Sequence, residues 1–347
     1  MNIRQQRWKT VEYTKRQIND AGNVIRNEHA SAQELVGALA VIDNWRAAHA
    51  YPLHVIYMHL RKMAEARENT LVVERLKRLD SIIGKLSREG GMDLWRMQDL
   101  GGCRVVLPTV EDVYGFADSF MKSRIRHEYK RTYDYIATPK SSGYRSLHLV
   151  YQYHSDKTET YNKNMLIEIQ IRTHLQHIWA TAMETMGLFT KQALKAGQGE
   201  EHIKRFFVLV SSLFALCEGC SVVPDTLADE KELISEIEQI NDQYHVLETL
   251  NAIRIAIYHE DDEVRDKKGY YLLDLDYNKH LLRIHSYSPS QFDVAETEYS
   301  KIEKNRHTSG IDAVLVRAKS FKELKSAYPN YFSDIGEFYQ LITSYLK

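Results

Sequence analysis

The chain has 347 residues, a mass of 40.5 kDa and a formal net charge of −1, from 46 Lys+Arg against 47 Asp+Glu. With 44% hydrophobic and 27% charged residues it has the composition of a globular protein, which excludes collagenous, low-complexity and fully disordered classes. Near-neutrality taken alone argues against a nucleic-acid binder, yet the charge is unevenly placed. Residues 221–347 hold 15 Lys+Arg against 23 Asp+Glu, a balance of −8, and residues 1–220 hold 31 against 24, a balance of +7. The change of character at Val223-Pro224-Asp225 marks a boundary, so 1–223 is expected as a first domain, 224–260 as a connecting helix and 261–347 as a small C-terminal domain.

The N-terminus (Met1-Asn2-Ile3-Arg4) has no apolar signal core, and three cysteines cannot form a disulfide framework. A cytoplasmic protein with no membrane partner is expected. The longest near-apolar stretch, Phe206 to Cys217, is too short to span a bilayer. Cys217-Glu218-Gly219-Cys220 is a lone CxxC without the further ligands a zinc site needs, and it reads as two buried thiols at a helix end.

In chain order, the first third is expected to be helical, with a Pro52 break and helices over His54–Arg67 and Val72–Arg88. The middle is expected to be β-rich. Cys103 to Leu107 forms a strand closed by Pro108, and Leu147–Tyr153 and Leu166–Ile171 alternate with period two. Trp179–Leu188 and His202–Leu216 return to helix. After Pro224, Asp225 or Thr226 can cap a helix whose apolar stripe is Leu233, Ile237, Ile240, Tyr244 and Leu247. Gly269–Asp276 and Leu281–Tyr287 read as a hairpin, followed by a helix, a strand over Ile311–Arg317 and two short helices.

Four segments place charged and polar groups where chemistry would need them. In the expected helix Arg75–Leu86, Lys77, Ser81 and Lys85 fall at i, i+4 and i+8, a row of ammonium and hydroxyl groups suited to a polyphosphate or to a solvated basic face. Asp99, just before the Gly101-Gly102-Cys103-Arg104 strand entry, can hold Mg²⁺, and Arg104 can meet a phosphate or a base. Around Gly143, whose freedom permits an unusual backbone angle, Tyr144 stands between Lys140 and Arg145 as a base-stacking platform with phosphate clamps. In Leu166–Thr173, Ile167, Ile169 and Ile171 share one strand face while Glu168, Gln170 and Arg172 share the other. A crowd of cations, Lys122, Arg124, Arg126, Lys130 and Arg131, precedes the Tyr144 loop. It suits a polyanion such as tRNA, or a solvated helix end.

These segments resemble the RelA/SpoT-type alarmone synthetase domain, an ATP- and Mg²⁺-using pyrophosphokinase. The matches run in order from Arg75, Lys77, Ser81, Ile82 and Lys85, through Asp99, Gly102 and Arg104, the Asp134–His148 loop, and Glu168–Thr173, to His177, Trp179 and Ala180. The resemblance implies an α+β fold with a nucleotidyltransferase-like mixed sheet flanked by helices. It also implies that Arg75, Lys77, Ser81, Lys85 and Arg104 hold ATP, that Asp99 and Glu168 bind Mg²⁺, and that Glu168 is the general base for an attacking 3′-hydroxyl. Tyr144 would stack the acceptor base, with Lys140, His148, Gln170 and Arg145 around it. Two departures stand out. Met183 and Glu184 occupy positions where such synthetases usually carry Glu-His, and no His-Asp dipeptide of a hydrolase half occurs.

The layout, with Asn44–Leu53 and an aromatic tail containing Tyr328-Pro329-Asn330-Tyr331, resembles the CapRel group of fused toxin–antitoxin proteins. That resemblance implies a toxic domain transferring pyrophosphate from ATP to the 3′ end of tRNA. It further implies a pseudo-zinc-finger-like α+β C-terminal antitoxin domain whose Tyr328 and Tyr331 obstruct the ATP site, and a phage component such as a capsid protein that releases the block in antiviral defence. The enzymatic alternative is a small alarmone synthetase making (p)ppGpp from ATP and GDP or GTP.

Overall fold

The protein was analysed as a computed structural model. It describes residues 8–157, 159–193, 200–256, 258–261, 269–276, 279, 281–309, 311–318, 320–327 and 335–347. Three helices, α1 (Lys15–Arg26), α2 (Ala32–Ala48) and α3 (Ala50–Ala64), open the chain. They are followed by β1 (Leu71–Leu76), α4 (Leu79–Arg88), β2 (Gly101–Leu107), α5 (Val110–Met121), β3 (Glu128–Asp134), β4 (Leu147–Gln152) and β5 (Leu166–Thr173). Four helices come next: α6 (His174–Ala193), α7 (Glu200–Cys217), α8 (Glu230–Tyr244) and α9 (Val246–Ala256). The chain finishes with β6 (Tyr258–Asp261), β7 (Gly269–Asp276), β8 (Leu281–Tyr287), α10 (Phe292–Ser309), β9 (Ile311–Ala318), α11 (Phe321–Ala327) and α12 (Gly336–Tyr345).

The expected mixed α+β architecture is present. Among the described residues the strands form one sheet in the order β3-β4-β5-β2-β1-β9-β7-β8-β6, with β2–β5 and β6–β8 parallel and the other pairs antiparallel. Period two decides its faces. Cys103, Val105, Leu107, Leu149, Tyr151, Ile167, Ile169 and Ile171 bury one face under α3 and α5. The opposite face carries Arg104, His148, Glu168 and Gln170, as cross-strand partners share a face. A second core joins α6, α7, α8, α9 and α12 around Phe206, Phe207, Phe214 and Phe338.

Two expected elements are corrected. Val72–Arg88 is not one helix, because Leu71 to Leu76 is a strand paired along its length with β2 and the helix begins only at Leu79. Buried β-branched Val72 and Val73 lie between β2 and β9, and that long-range pairing overrides the apolar spacing that also fits a helix. The expected connecting helix over 224–260 is two helices. His245, in the left-handed region at φ 51°, ends α8, and the cap is Asp229 rather than Asp225 or Thr226. Leu233, Ile237, Val246, Leu247 and Leu250 pack these helices into the α6–α7 core.

The C-terminal segment meets the first half at a buried polar junction. Arg46 of α2, 2% exposed, binds Glu303 of α10, Tyr299 Oη at 3.0 Å and Asp43 at 2.7 Å. Burial opposes the Arg46 charge, but Tyr299, Glu303 and Asp43 outweigh it and hold the guanidinium protonated. Glu303 also accepts the backbone N–H of Leu79 at 3.3 Å, serving the first turn of α4, whose own cap position Arg78 supplies no side-chain bond. Breaking one side of such a buried pair costs roughly 3–5 kcal/mol, because the other charge is left uncompensated.

His49, between α2 and α3, is fully buried, and burial pushes its imidazole down to about 4 even though Nδ1 donates to the Trp45 carbonyl at 2.7 Å. In the unfolded chain it protonates near the ordinary value of about 6.5. The folded state therefore loses stability as pH falls from about 6.5 to about 4, by roughly 3 kcal/mol in total. Urea unfolding of His49→Asn should show a flatter pH dependence than wild type across that window; identical slopes would contradict a buried neutral imidazole.

Candidate active site

The polar face of the sheet, closed by α4 and α6, forms a cleft of about 660 Å³. Register builds its floor: Arg75 on β1 stands beside Gly102 on β2, which stands beside Glu168 on β5. Arg104 pairs with Gln170, and Gln170 with His148. A smaller adjoining cavity is lined by Arg75, Lys77, Asp99, Gly102, Arg104, Glu168 and Gln170.

Glu168 is held by two neighbours. Its Oε1 lies 3.1 Å from His148 Nδ1, and its Oε2 accepts from Gln170 Nε2 at 2.8 Å. Burial favours the neutral acid and Asp99 repels the anion, but the bonds from His148 and Gln170 prevail and keep the carboxyl below its ordinary value. With His148 Nδ1 donating to Glu168, its Nε2 accepts from Tyr144 Oη at 2.9 Å. One imidazole thus links the carboxylate to the aromatic platform.

Asp99 faces two ammonium groups, Lys77 Nζ at 2.6 Å and Lys85 Nζ at 3.2 Å. Burial would raise its pKa, and the two lysines bring it below the ordinary value. Lys77 lies before α4, so it does not share a helix face with Lys85; the two converge through Asp99 instead. Ser81 is exposed on α4 and does not line the cleft.

Tyr144 sits on a turn that requires Gly143 at φ +88°, where an added Cβ would lie 2.7 Å from Trp179. Lys140 Nζ lies 4.2 Å from the Tyr135 ring centroid and 5.5 Å from that of Tyr144. Arg145 is corrected: it points away from the cleft, 3% exposed, and bonds Glu218 and the Ser211 carbonyl. The chain alternation that places Tyr144 in the cleft turns Arg145 to the other side.

Lys122, Arg124 and Arg126 follow α5, and Lys130 and Arg131 lie on edge strand β3 rather than on a helix. All five are exposed, with Lys122 on Asp118, Arg126 on Asp156 and Lys130 on Glu128. None lines the cleft, but β3, which bears Lys130 and Arg131, also bears Tyr133 and leads to Tyr135, and both tyrosines line it. Tyr328 and Tyr331 lie outside the described residues. Among the described residues, no residue after Glu184 lines the cleft. Cys217 is exposed, 3.0 Å from Tyr345 Oη, and Cys220 is half-buried, which corrects the expectation of two buried thiols.

Sequence reasoning missed Tyr133, Tyr135 and the cleft role of Glu184. The signal for the tyrosines was their alternation along a strand not foreseen before the loop. Glu184 is open to the cleft among Arg75, Arg104, Arg78 and Arg172; crowding opposes its charge, but the arginines hold it below the ordinary carboxylate range. Arg172, buried beside Arg104, is pushed down to about 9 and bonds His177.

Among the described residues no cluster of three or more His, Cys, Asp or Glu is poised for a metal. The two carboxylates Asp99 and Glu168 share the smaller cavity, and this suits Mg²⁺, which takes one or two carboxylates together with waters and substrate phosphates.

The family model described as "Region found in RelA / SpoT proteins" matches residues 74–191. Residues 74–191 are thus similar to a region found in RelA and SpoT proteins. That region runs from β1 into α6 and holds every cleft residue named above. The chain is 37% identical over 112 residues to GTP pyrophosphokinase YjbM and 32% identical over 112 residues to GTP pyrophosphokinase YwaC, both of Bacillus subtilis (strain 168). These matches cover 32% and 31% of this chain and 52% of each relative, so the chain spans about half the length of the curated relatives it matches. The solved small alarmone synthetase 1 of Bacillus subtilis, bound to pppGpp, aligns with a TM-score of 0.43 at 26% identity, covering 49% of this chain and 89% of that one.

Gly143→Ala should lower the thermal midpoint by several degrees, since a left-handed backbone and a blocked Cβ cost about 1–3 kcal/mol. Gly90→Ala, with open space around its Cβ, should leave the midpoint within about 1 °C and serves as control. Equal midpoints for the two variants would contradict the turn geometry.

Proposed function

We propose that this protein is an ATP-dependent pyrophosphokinase that transfers the β,γ-diphosphate of ATP to a ribose 3′-hydroxyl. The observation that carries this reading is Glu168. It is an ionised carboxylate fixed by His148 and Gln170, beside Asp99 and facing Arg75, Arg104 and the Lys77–Lys85 pair. Arg75, Lys77, Lys85 and Arg104 would hold the triphosphate, and Tyr144 would stack the acceptor base. Glu168 would take the 3′-hydroxyl proton as that oxygen bonds the β-phosphorus. The bond from the β-phosphorus to the bridging oxygen would break, and AMP would leave with that oxygen. Asp99 and Glu168 would hold Mg²⁺, which supplies charge neutralisation at the phosphates.

The acceptor we favour is the 3′ end of tRNA, with translation arrested as a result. Support comes from the exposed cations Lys122, Arg124 and Arg126 after α5 and Lys130 and Arg131 on β3, the strand that bears Tyr133 and leads to Tyr135, and from Met183 and Glu184 in place of Glu-His. In this reading the acidic C-terminal segment is a cis-acting antitoxin, Tyr328 and Tyr331 are its blocking residues, and a phage protein such as capsid is its trigger. The cytoplasm is the expected site of action; among the described residues no helix is long and apolar enough to cross a membrane. The second reading, synthesis of (p)ppGpp on GDP or GTP, is favoured by the GTP pyrophosphokinases to which residues of this region are 32–37% identical.

Incubation of the full chain, freed of the proposed block by Tyr328→Ala and Tyr331→Ala, with ATP labelled in its β,γ-phosphates alongside deacylated tRNA, GDP and GTP separates the two. Label should enter tRNA, and Glu168→Gln and Tyr144→Ala should each lower transfer by about 10²-fold or more. Label on guanosine nucleotides alone would replace the tRNA reading with the second. Full transfer by Tyr144→Ala would overturn the acceptor platform.

A further inference from the structure

The segment carrying Tyr144 has no helix or strand between Pro139 and Ser146, only a turn in which Gly143 N–H donates to the Lys140 carbonyl at 2.8 Å and Lys140 N–H to the Tyr144 carbonyl at 3.2 Å, so where that turn sits depends on its neighbours. Both neighbours of Tyr144 in the chain are tied to α7. On one side, the Gly143 carbonyl accepts from Ser211 Oγ at 2.6 Å, and Gly143 itself is seated against Trp179 and the Ser211 Cβ. On the other side, Arg145 donates to the Ser211 carbonyl at 3.4 Å and forms an ion pair with Glu218, just past the end of α7.

Glu218 is one of the two residues between the cysteines of the Cys217–Cys220 tetrapeptide, a motif that the reaction leaves without a role. Its carboxylate is 8% exposed and fully engaged: one oxygen accepts from Thr173 Oγ1, and the other from Arg145 and from Gln176 Nε2 at 3.1 Å. Thr173 ends β5, the strand that bears Glu168, and Gln176 begins α6. One buried anion therefore ties the acceptor loop, the catalytic strand and the wall of the cleft to a single point. The donor-side cations come from β1, the connection after it, α4 and β2, and of these Lys77 and Lys85 bond Asp99.

We propose that Glu218, through Arg145, and Ser211, through Gly143, are positioning residues that set Tyr144 for the acceptor base and leave donor binding untouched. The proposal rests on Tyr144 being the acceptor platform of a pyrophosphokinase. A positioning role predicts a split between substrates. With deacylated tRNA and with GDP as acceptor probes, Glu218→Gln should raise the acceptor KM by about tenfold, and Ser211→Ala by about three- to fivefold, as expected for loss of a charged and a neutral hydrogen bond. The KM for ATP should stay within about twofold in both, since the donor cations lie outside the network.

Ser211→Ala removes one hydroxyl and keeps the ion pair, so it provides the measurement if Glu218→Gln does not fold. An acceptor KM unchanged in Ser211→Ala, or ATP and acceptor KM values rising together, overturns the positioning role while transfer by wild type leaves the pyrophosphokinase reading standing. If the chain freed of the proposed block by Tyr328→Ala and Tyr331→Ala transfers diphosphate to none of the probes, that reading falls, and the positioning role with it.

Discussion

Two carboxylates and several guanidinium and ammonium groups cannot share one cleft unless each charge is compensated, and Asp99 shows how that is done. Its carboxylate lies between Lys77 and Lys85. The contact ties the connection after β1 and the middle of α4 to the segment entering β2. It keeps the carboxylate ionised in a partly desolvated setting, where an isolated charge would neutralise. The same contact fixes where a triphosphate and its cation would exchange partners, with the lysines turning to phosphate oxygens and Asp99 to the metal. Glu168 is held in a comparable way by His148 and Gln170, which outweigh its burial.

The functional face was legible in the sequence wherever strand periodicity and special residues acted locally. Alternation over Leu166–Thr173 separated three buried isoleucines from Glu168, Gln170 and Arg172, and Gly143 announced a turn that only glycine fits. What could not be read depended on distant partners. Val72 and Val73 fit a helix by spacing, and only pairing with β2 makes them a strand. Lys77, Ser81 and Lys85 line up on an ideal helix, but Lys77 lies outside it and Ser81 faces solvent. Arg145 reads as a phosphate clamp by composition, yet its partner is a carboxylate 73 residues away.

The charge division between the two parts of the chain has one buried expression. Arg46 from the basic part meets Glu303 from the acidic part, and Glu303 also serves the first turn of α4. Docking of α10 and the helix that carries Lys85 are thereby linked through one carboxylate. Strand β9 extends the sheet of the first half at β1, where Val316 pairs with Arg75. Because this carboxylate is buried, its contribution resists salt, whereas the remaining complementarity lies at the surface and is screened within about 8–10 Å at ordinary ionic strength.

The central claim is transfer of a diphosphate, and the nucleotide product reports it directly. Chromatography of ATP incubated with the Tyr328→Ala, Tyr331→Ala chain, Mg²⁺ and deacylated tRNA should show AMP accumulating in step with diphosphate joined to tRNA. Without an acceptor, little AMP should form. Accumulation of ADP, or AMP formation that ignores the acceptor and survives Glu168→Gln, would contradict the account.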